Sequence, residues 1–208
     1  MKGRFIVFEG IDGAGKSTQI SLLEKKLKSE GRRVFVTAEP TQSVTGGALR
    51  DALSGNYKRT STELAAMFLA DRVFHNVNEK TGIMQALENG FDVICDRYYY
   101  SSFAYQGTGT SLEWVMHMNL DCPDIVRPDV CIFLDLDAES SKKRIDSERA
   151  SIDIFEESTD ILSSIRNKFF DVFEKLPDEN IKIVNAGRTV SEIAADIEQI
   201  IDGLTAKE

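Results

Sequence analysis

Five short apolar runs, at residues 4–9, 33–37, 92–96, 130–135 and 180–185, punctuate the 208-residue chain. Val7-Phe8, Val93-Ile94 and Cys131-Ile132-Phe133-Leu134 are continuously apolar, as strands buried on both faces require. Segments of helical period lie between the runs. Ile20, Leu23 and Leu27 share one helix face, and Val190, Ile193, Ala194, Ile197 and Ile201 mark another. Strand alternating with helix predicts an α/β fold with a five-stranded parallel sheet, whose ligands gather at the carboxyl ends of the strands. Polar groups stand at those ends: Glu9, Glu39-Pro40, Asp96-Arg97 and Asp135. A charged stretch of weak periodicity, about 146–158, reads either as a solvated loop or as a mobile lid over a phosphate site.

Between the first run and the first helical pattern stands Gly10-Ile11-Asp12-Gly13-Ala14-Gly15-Lys16-Ser17, followed by Thr18. Glycines at Gly10 and Gly15 allow backbone angles closed to other residues, so successive N–H groups can cradle a polyphosphate. Lys16 is placed to reach the β- and γ-phosphates, Ser17 to bind Mg²⁺, and the helix starting near Lys16 aims its positive end at the same anion. The expected architecture is therefore a three-layer P-loop NTPase fold with a short lid, and the expected ligand is ATP with Mg²⁺.

Bulk properties narrow the picture. The length and 42% apolar content suit one domain, 1–208. A net charge of −9 argues against a protein that grips nucleic acid or an anionic membrane surface. No run is long enough for a signal peptide or a membrane span, so a cytoplasmic protein is expected. Cys95, Cys122 and Cys131 have no disulfide or zinc spacing, and Cys95 and Cys131 read as reduced core thiols. His75 and His117 lack a ligand motif and read as surface or helix residues.

A P-loop alone does not separate GTPases, motors and small-molecule kinases. No Asn-Lys-x-Asp guanine motif is present; Asn167-Lys168-Phe169-Phe170 lacks the aspartate. Asp96 can hold the hydration shell of Mg²⁺, and Arg97 can bind a second phosphate-bearing substrate opposite the P-loop. The run Asp96-Arg97-Tyr98 to Ser101-Ser102-Phe103-Ala104-Tyr105-Gln106-Gly107 resembles the signature of thymidylate kinases. Phe8-Glu9-Gly10, Glu39-Pro40 and Phe68-Leu69-Ala70-Asp71-Arg72 stand in the order that family has.

The resemblance implies transfer of the γ-phosphoryl of ATP to dTMP, giving dTDP and ADP, in a Mg²⁺-dependent enzyme that is usually a homodimer. It implies that Phe68 stacks on thymine and that Arg72 meets a base carbonyl. Ser102, Tyr105 and Gln106 would complete the base and sugar pocket, and Asp12 would accept from the 3′-hydroxyl. Glu39, Arg50 and Arg97 belong to the same dTMP-binding set, within an acceptor region of about 38–107. Lys16, Arg97 and a lid arginine would neutralise the transferring phosphates. Because Gly13 follows Asp12, that last charge is expected from the lid, where Arg149 is in register and Arg144 lies just upstream. Another nucleoside monophosphate or deoxynucleoside kinase, and a regulatory nucleotide-binding ATPase, are the competing readings. The segment 60–89 is long enough for a helix that could pair in a dimer.

Overall fold

The structure, a computed structural model, describes residues 2–55, 58–148 and 158–204. Among these, β1 (Phe5–Glu9), β2 (Val34–Ala38), β3 (Asp92–Asp96), β4 (Val130–Asp135) and β5 (Ile181–Asn185) form one parallel sheet in the order β2-β3-β1-β4-β5. Each expected run coincides with a strand to within one residue at either end. The central position of β1 explains its wholly apolar core positions, Phe5 to Phe8, all buried.

The two faces of the sheet carry separate cores. Ile6, Phe8, Ile94, Ile132 and Leu134 point to one side, where α1 (Lys16–Ser29) and α9 (Val190–Asp202) cover them with Ile20, Leu23, Leu27, Ile193, Ile197 and Ile201. Phe5, Val7, Val93, Cys95, Cys131 and Phe133 point to the other. There they meet α3 (Ser61–Val77), α4 (Ile83–Glu88), α5 (Tyr99–Tyr105), α6 (Leu112–Leu120), α7 (Ala138–Glu148) and α8 (Thr159–Glu174). Successive side chains of β1, β3 and β4 point to opposite faces and are buried on both, and each large side chain so buried contributes about 1.5–3 kcal/mol. The remaining helix, α2 (Val44–Leu53), lies beyond β2.

Two details differ from the sequence reading. Val190, assigned to the packing stripe of α9, is 51% exposed because it opens the helix at the edge of a cleft. The 60–89 segment, read as long enough for a helix, holds α3 and then α4. Asn78 Oδ1 accepts from the N–H groups of Lys80 and Thr81, and the chain turns there before Gly82 caps α4. A side chain at Gly82 would sit 2.3 Å from the Asn78 carbonyl oxygen, so the turn itself requires glycine. Residues 146–148, read as the start of the charged loop, continue α7, where Lys142 pairs with Asp146 one turn on. Most of the expected lid, 149–157, lies outside the described residues.

Register positions the chemistry. Phe8 lies level with Asp96 on β3 and Ile132 on β4. The loop that follows β1 therefore leaves the sheet directly beside Asp96-Arg97.

Candidate active site

The loop after β1 takes the shape its glycines permit: Gly10, Gly13 and Gly15 have φ of 144°, 75° and 94°. Asp12 to Thr18 line a cleft with Asp96, Arg97, Arg144, Arg188 and Val190. Ile11 instead anchors the loop, its side chain buried and its carbonyl accepting from Ala14 at 3.2 Å. Lys16 is buried, with Nζ 3.0 Å from the Gly10 carbonyl and 3.3 Å from that of Ile11. Burial, and next the charge of Arg97, lower its pKa, while Asp96, Asp12 and Glu9 oppose them. Gln19 on the first turn of α1 ties this cleft to α9 by donating to the Val190 carbonyl at 3.0 Å.

Helix α7 closes over the loop. The Ser141 hydroxyl donates to the Asp12 carbonyl, and Arg144 donates to the carbonyls of Gly13 (3.3 Å) and Ala186 (3.2 Å). A Cβ at Gly13 would lie 2.8 Å from the Ser141 carbonyl oxygen, at a φ that L residues rarely adopt. No side chain, and so no arginine, fits at position 13 while α7 stays in place. Arg144 lies against the P-loop, whereas Arg149 is outside the described residues.

Next to the P-loop, a cavity of about 140 Å³ is lined by Asp12, Glu39, Pro40, Leu53, Phe68, Arg72, Arg97, Tyr98, Ser101, Tyr105 and Gln106. Phe68, Leu53 and Pro40 give it an apolar wall. Arg72, buried at 1% exposure, gives it a fixed cation. Its Nε and Nη2 lie 2.9 and 2.7 Å from Glu39 Oε2, Nη1 donates to Asn119 at 2.5 Å, and Nη2 donates to Ser102 at 3.1 Å. The guanidinium also lies 5.3 Å from the centre of the Tyr98 ring.

His75, read as a surface or helix residue, is a helix residue and not a surface one. It belongs to α3 but is buried, with Nδ1 3.0 Å from Glu39 Oε1 and Nε2 2.7 Å from the Thr37 hydroxyl. Glu39 is thus held by Arg72 on one oxygen and His75 on the other. His117 is exposed beside Asp121. Cys95 and Cys131 are free and fully buried, and burial pushes both thiols far up.

At the mouth of the cavity, Arg97 donates to Asp12 at 2.7 Å and to Ser101 at 3.0 Å. Its guanidinium stands 5.3 Å from the centre of the Tyr105 ring, and its own backbone has φ 66°. Burial raises the Tyr105 phenol pKa, against the opposing charge of Arg97, so the ring stays neutral. Ser102 lies behind Arg72, and it is Ser101 that lines the cavity. Arg50 is exposed, and donates to the carbonyls of Pro40 (3.2 Å) and Thr41 (2.6 Å) at the rim. Leu53, Pro40, Tyr98 and Ser101 are lining residues that the sequence reading did not select.

Asp96 and Ser17 share the walls of the clefts beside the P-loop. Asp96 Oδ1 is inaccessible and has no hydrogen-bond partner. A carboxylate oxygen in that state, beside a hydroxyl and a polyphosphate cradle, is an all-oxygen donor set that fits Mg²⁺. Among the described residues no group of three His, Cys, Asp or Glu is placed to hold a metal.

A phosphate-cradling loop after the central strand, with an arginine-lined second cavity abutting it, defines a P-loop phosphotransferase with two substrate clefts. A sequence model of the thymidylate kinase family matches residues 8–197. The chain is 39% identical to a probable thymidylate kinase of Pyrococcus abyssi over 97% of each chain. It is 36% identical to a thymidylate kinase of Caldicellulosiruptor saccharolyticus over the whole of both. A thymidylate kinase of Desulfotalea psychrophila is 36% identical over 94% of this chain and 92% of its own. The chain belongs to the thymidylate kinase family.

Proposed function

We propose that this protein is a dTMP kinase, transferring the γ-phosphoryl of ATP to dTMP and releasing dTDP and ADP. The observation that carries this reading is the shared wall of the two clefts: Asp12 and Arg97 line both. A base seated in the deeper cavity would stack against Phe68 and meet Arg72 and Gln106. Its sugar would pass Asp12 and Tyr105, and its phosphate would emerge at Arg97, facing the P-loop.

Phosphoryl transfer asks little covalent chemistry of side chains; it asks that two anions be aligned, neutralised and shielded from water. In this reading the loop from Asp12 to Thr18 cradles the donor phosphates. Lys16, already among buried charges, turns from the loop carbonyls to the phosphate oxygens, and Arg97 holds the acceptor. Ser17 and Asp96 would hold Mg²⁺, which would supply positive charge to neutralise the donor phosphates. Arg149 would add the transition-state charge from a lid of about 146–158, while Arg144 serves the donor side. The acceptor region runs from about 38 to 107. Glu39 and His75 act behind Arg72, keeping its guanidinium in one orientation, and Arg50 supports the Pro40-Thr41 rim.

The same reading places the enzyme in the cytoplasm as a homodimer of one domain, 1–208. Among the described residues no helix is long and apolar enough to cross a membrane. The reading is tested by incubating the protein with ATP, Mg²⁺ and dTMP and measuring dTDP and ADP together. Equal amounts support it, and ADP formed without dTDP opposes it.

A further inference from the structure

Glu9 lines neither cleft, yet it is a wholly buried carboxylate at the end of the central strand. Both its oxygens turn to α5. Oε1 accepts from the backbone N–H groups of Tyr98 (2.8 Å) and Ser101 (3.1 Å), and Oε2 accepts from the Ser101 hydroxyl at 2.6 Å. The Ser101 oxygen in turn accepts from Arg97 Nη1 at 3.0 Å, and Arg97 Nη2 reaches Asp12 at 2.7 Å. Asp12 lies three residues after Glu9, so the chain closes into a ring through Glu9, Ser101, Arg97 and Asp12.

We propose that Glu9 is a positioning residue that fixes Arg97 against the P-loop through Ser101. A hydroxyl has a single proton. By taking it, the Glu9 carboxylate leaves the Ser101 oxygen facing Arg97 as an acceptor. Without that carboxylate the hydroxyl rotates, and its proton competes with the guanidinium. Arg97 then keeps Asp12 and the Tyr105 ring as side-chain neighbours while its backbone, at φ 66° with the N–H bound to the Phe8 carbonyl at 2.9 Å, stays where it is. Burial raises the Glu9 pKa, and the charge of Arg97 and the hydrogen bonds from Ser101 and Tyr98 oppose that rise only in part. This inference rests on the reading of Arg97 as the arginine that holds the acceptor phosphate.

The test uses the full chain with Glu9→Gln, Ser101→Ala and the double substitution. Each single variant is expected to lower kcat/KM for dTMP about tenfold while KM for ATP stays within about twofold. Binding of dTMP should weaken about tenfold, but competitive inhibition by thymidine, which lacks the phosphate, should change less than about twofold. The double variant should be no worse than either single one, because both cut the same link. Additive losses, equal weakening of dTMP and thymidine, or wild-type kinetics in both variants would overturn the role of Glu9. If Glu9→Gln does not fold, Ser101→Ala alone decides by the same ratio, since it spares the backbone bonds to Glu9. Failure of the wild-type protein to form dTDP would instead count against the proposed reaction, and the dTMP-to-thymidine binding ratio would still read the Glu9 link.

Discussion

Arg97, at the end of the third strand, donates to Asp12 of the P-loop at 2.7 Å. That ion pair joins the wall of the donor cleft to the wall of the acceptor cavity. Its partners lie in two directions, Asp12 on one nitrogen and Ser101 on another, which suits a planar fork and not a point charge. Replacement of Arg97 by lysine should therefore lower kcat/KM for dTMP at least about a hundredfold, about 2.7 kcal/mol of transition-state stabilisation. Steady-state kinetics check this, and a loss under about threefold would mean that only charge is required.

The P-loop and α7 should behave as one unit. Gly13→Ala places a methyl group 2.8 Å from the Ser141 carbonyl oxygen at φ 75°. The backbone alone costs about 1–2 kcal/mol, and α7 must retreat, carrying Arg144 from the donor cleft. KM for ATP should rise about tenfold or more, with a smaller effect on KM for dTMP. Unchanged ATP kinetics would show that α7 yields freely.

In the proposed reaction, two arginines would separate donor binding from catalysis. Arg144→Ala, removing the side chain that bridges Gly13 and Ala186, should raise KM for ATP. Arg149→Ala should lower kcat tenfold or more, about 1.4 kcal/mol, while leaving KM for dTMP nearly unchanged, because its proposed contact would form as charge develops. Wild-type kcat in Arg149→Ala would place the transition-state charge elsewhere.

At the opposite end of the sheet, Asp92 is wholly buried against Arg4 (2.7 Å) and Arg32 (2.5 Å). Burial alone would raise its pKa, but hydrogen bonds from Arg32 and Arg4 outweigh it and hold the carboxyl at about 2. A depressed folded-state value adds stability that is complete above the unfolded value near 4 and disappears as pH falls through about 2. The contribution is about 2 kcal/mol. Denaturant unfolding of the wild type and Asp92→Asn should therefore differ more at pH 6 than at pH 2, by about that amount. A difference independent of pH would contradict the linkage.

The parallel sheet and the P-loop were legible because burial on both faces imposes continuous apolar runs and because glycine and lysine spacing encodes a cradle directly. The rest depended on geometry that no local pattern carries. Ser101 and Ser102 are adjacent and chemically alike; the phase of α5 turns one to the cavity and the other behind Arg72. His75 is buried with hydrogen-bond partners, Thr37 and Glu39, that lie almost forty residues earlier. The 60–89 segment divides into α3 and α4 at Asn78 and Gly82, where a side-chain turn and a close carbonyl take the place of helical bonds. Asn78 so close to Gly82 was the signal available for that break.

The most direct test of the account is a panel of nucleoside monophosphates, including dTMP, dUMP, AMP, CMP and GMP, each supplied with ATP and Mg²⁺ and followed by direct detection of the diphosphate. The account predicts that dTMP gives dTDP with the highest kcat/KM, with the ribonucleotides at least about a hundredfold below. Equal or greater turnover of AMP or CMP, or ATP hydrolysis indifferent to any monophosphate, would contradict it.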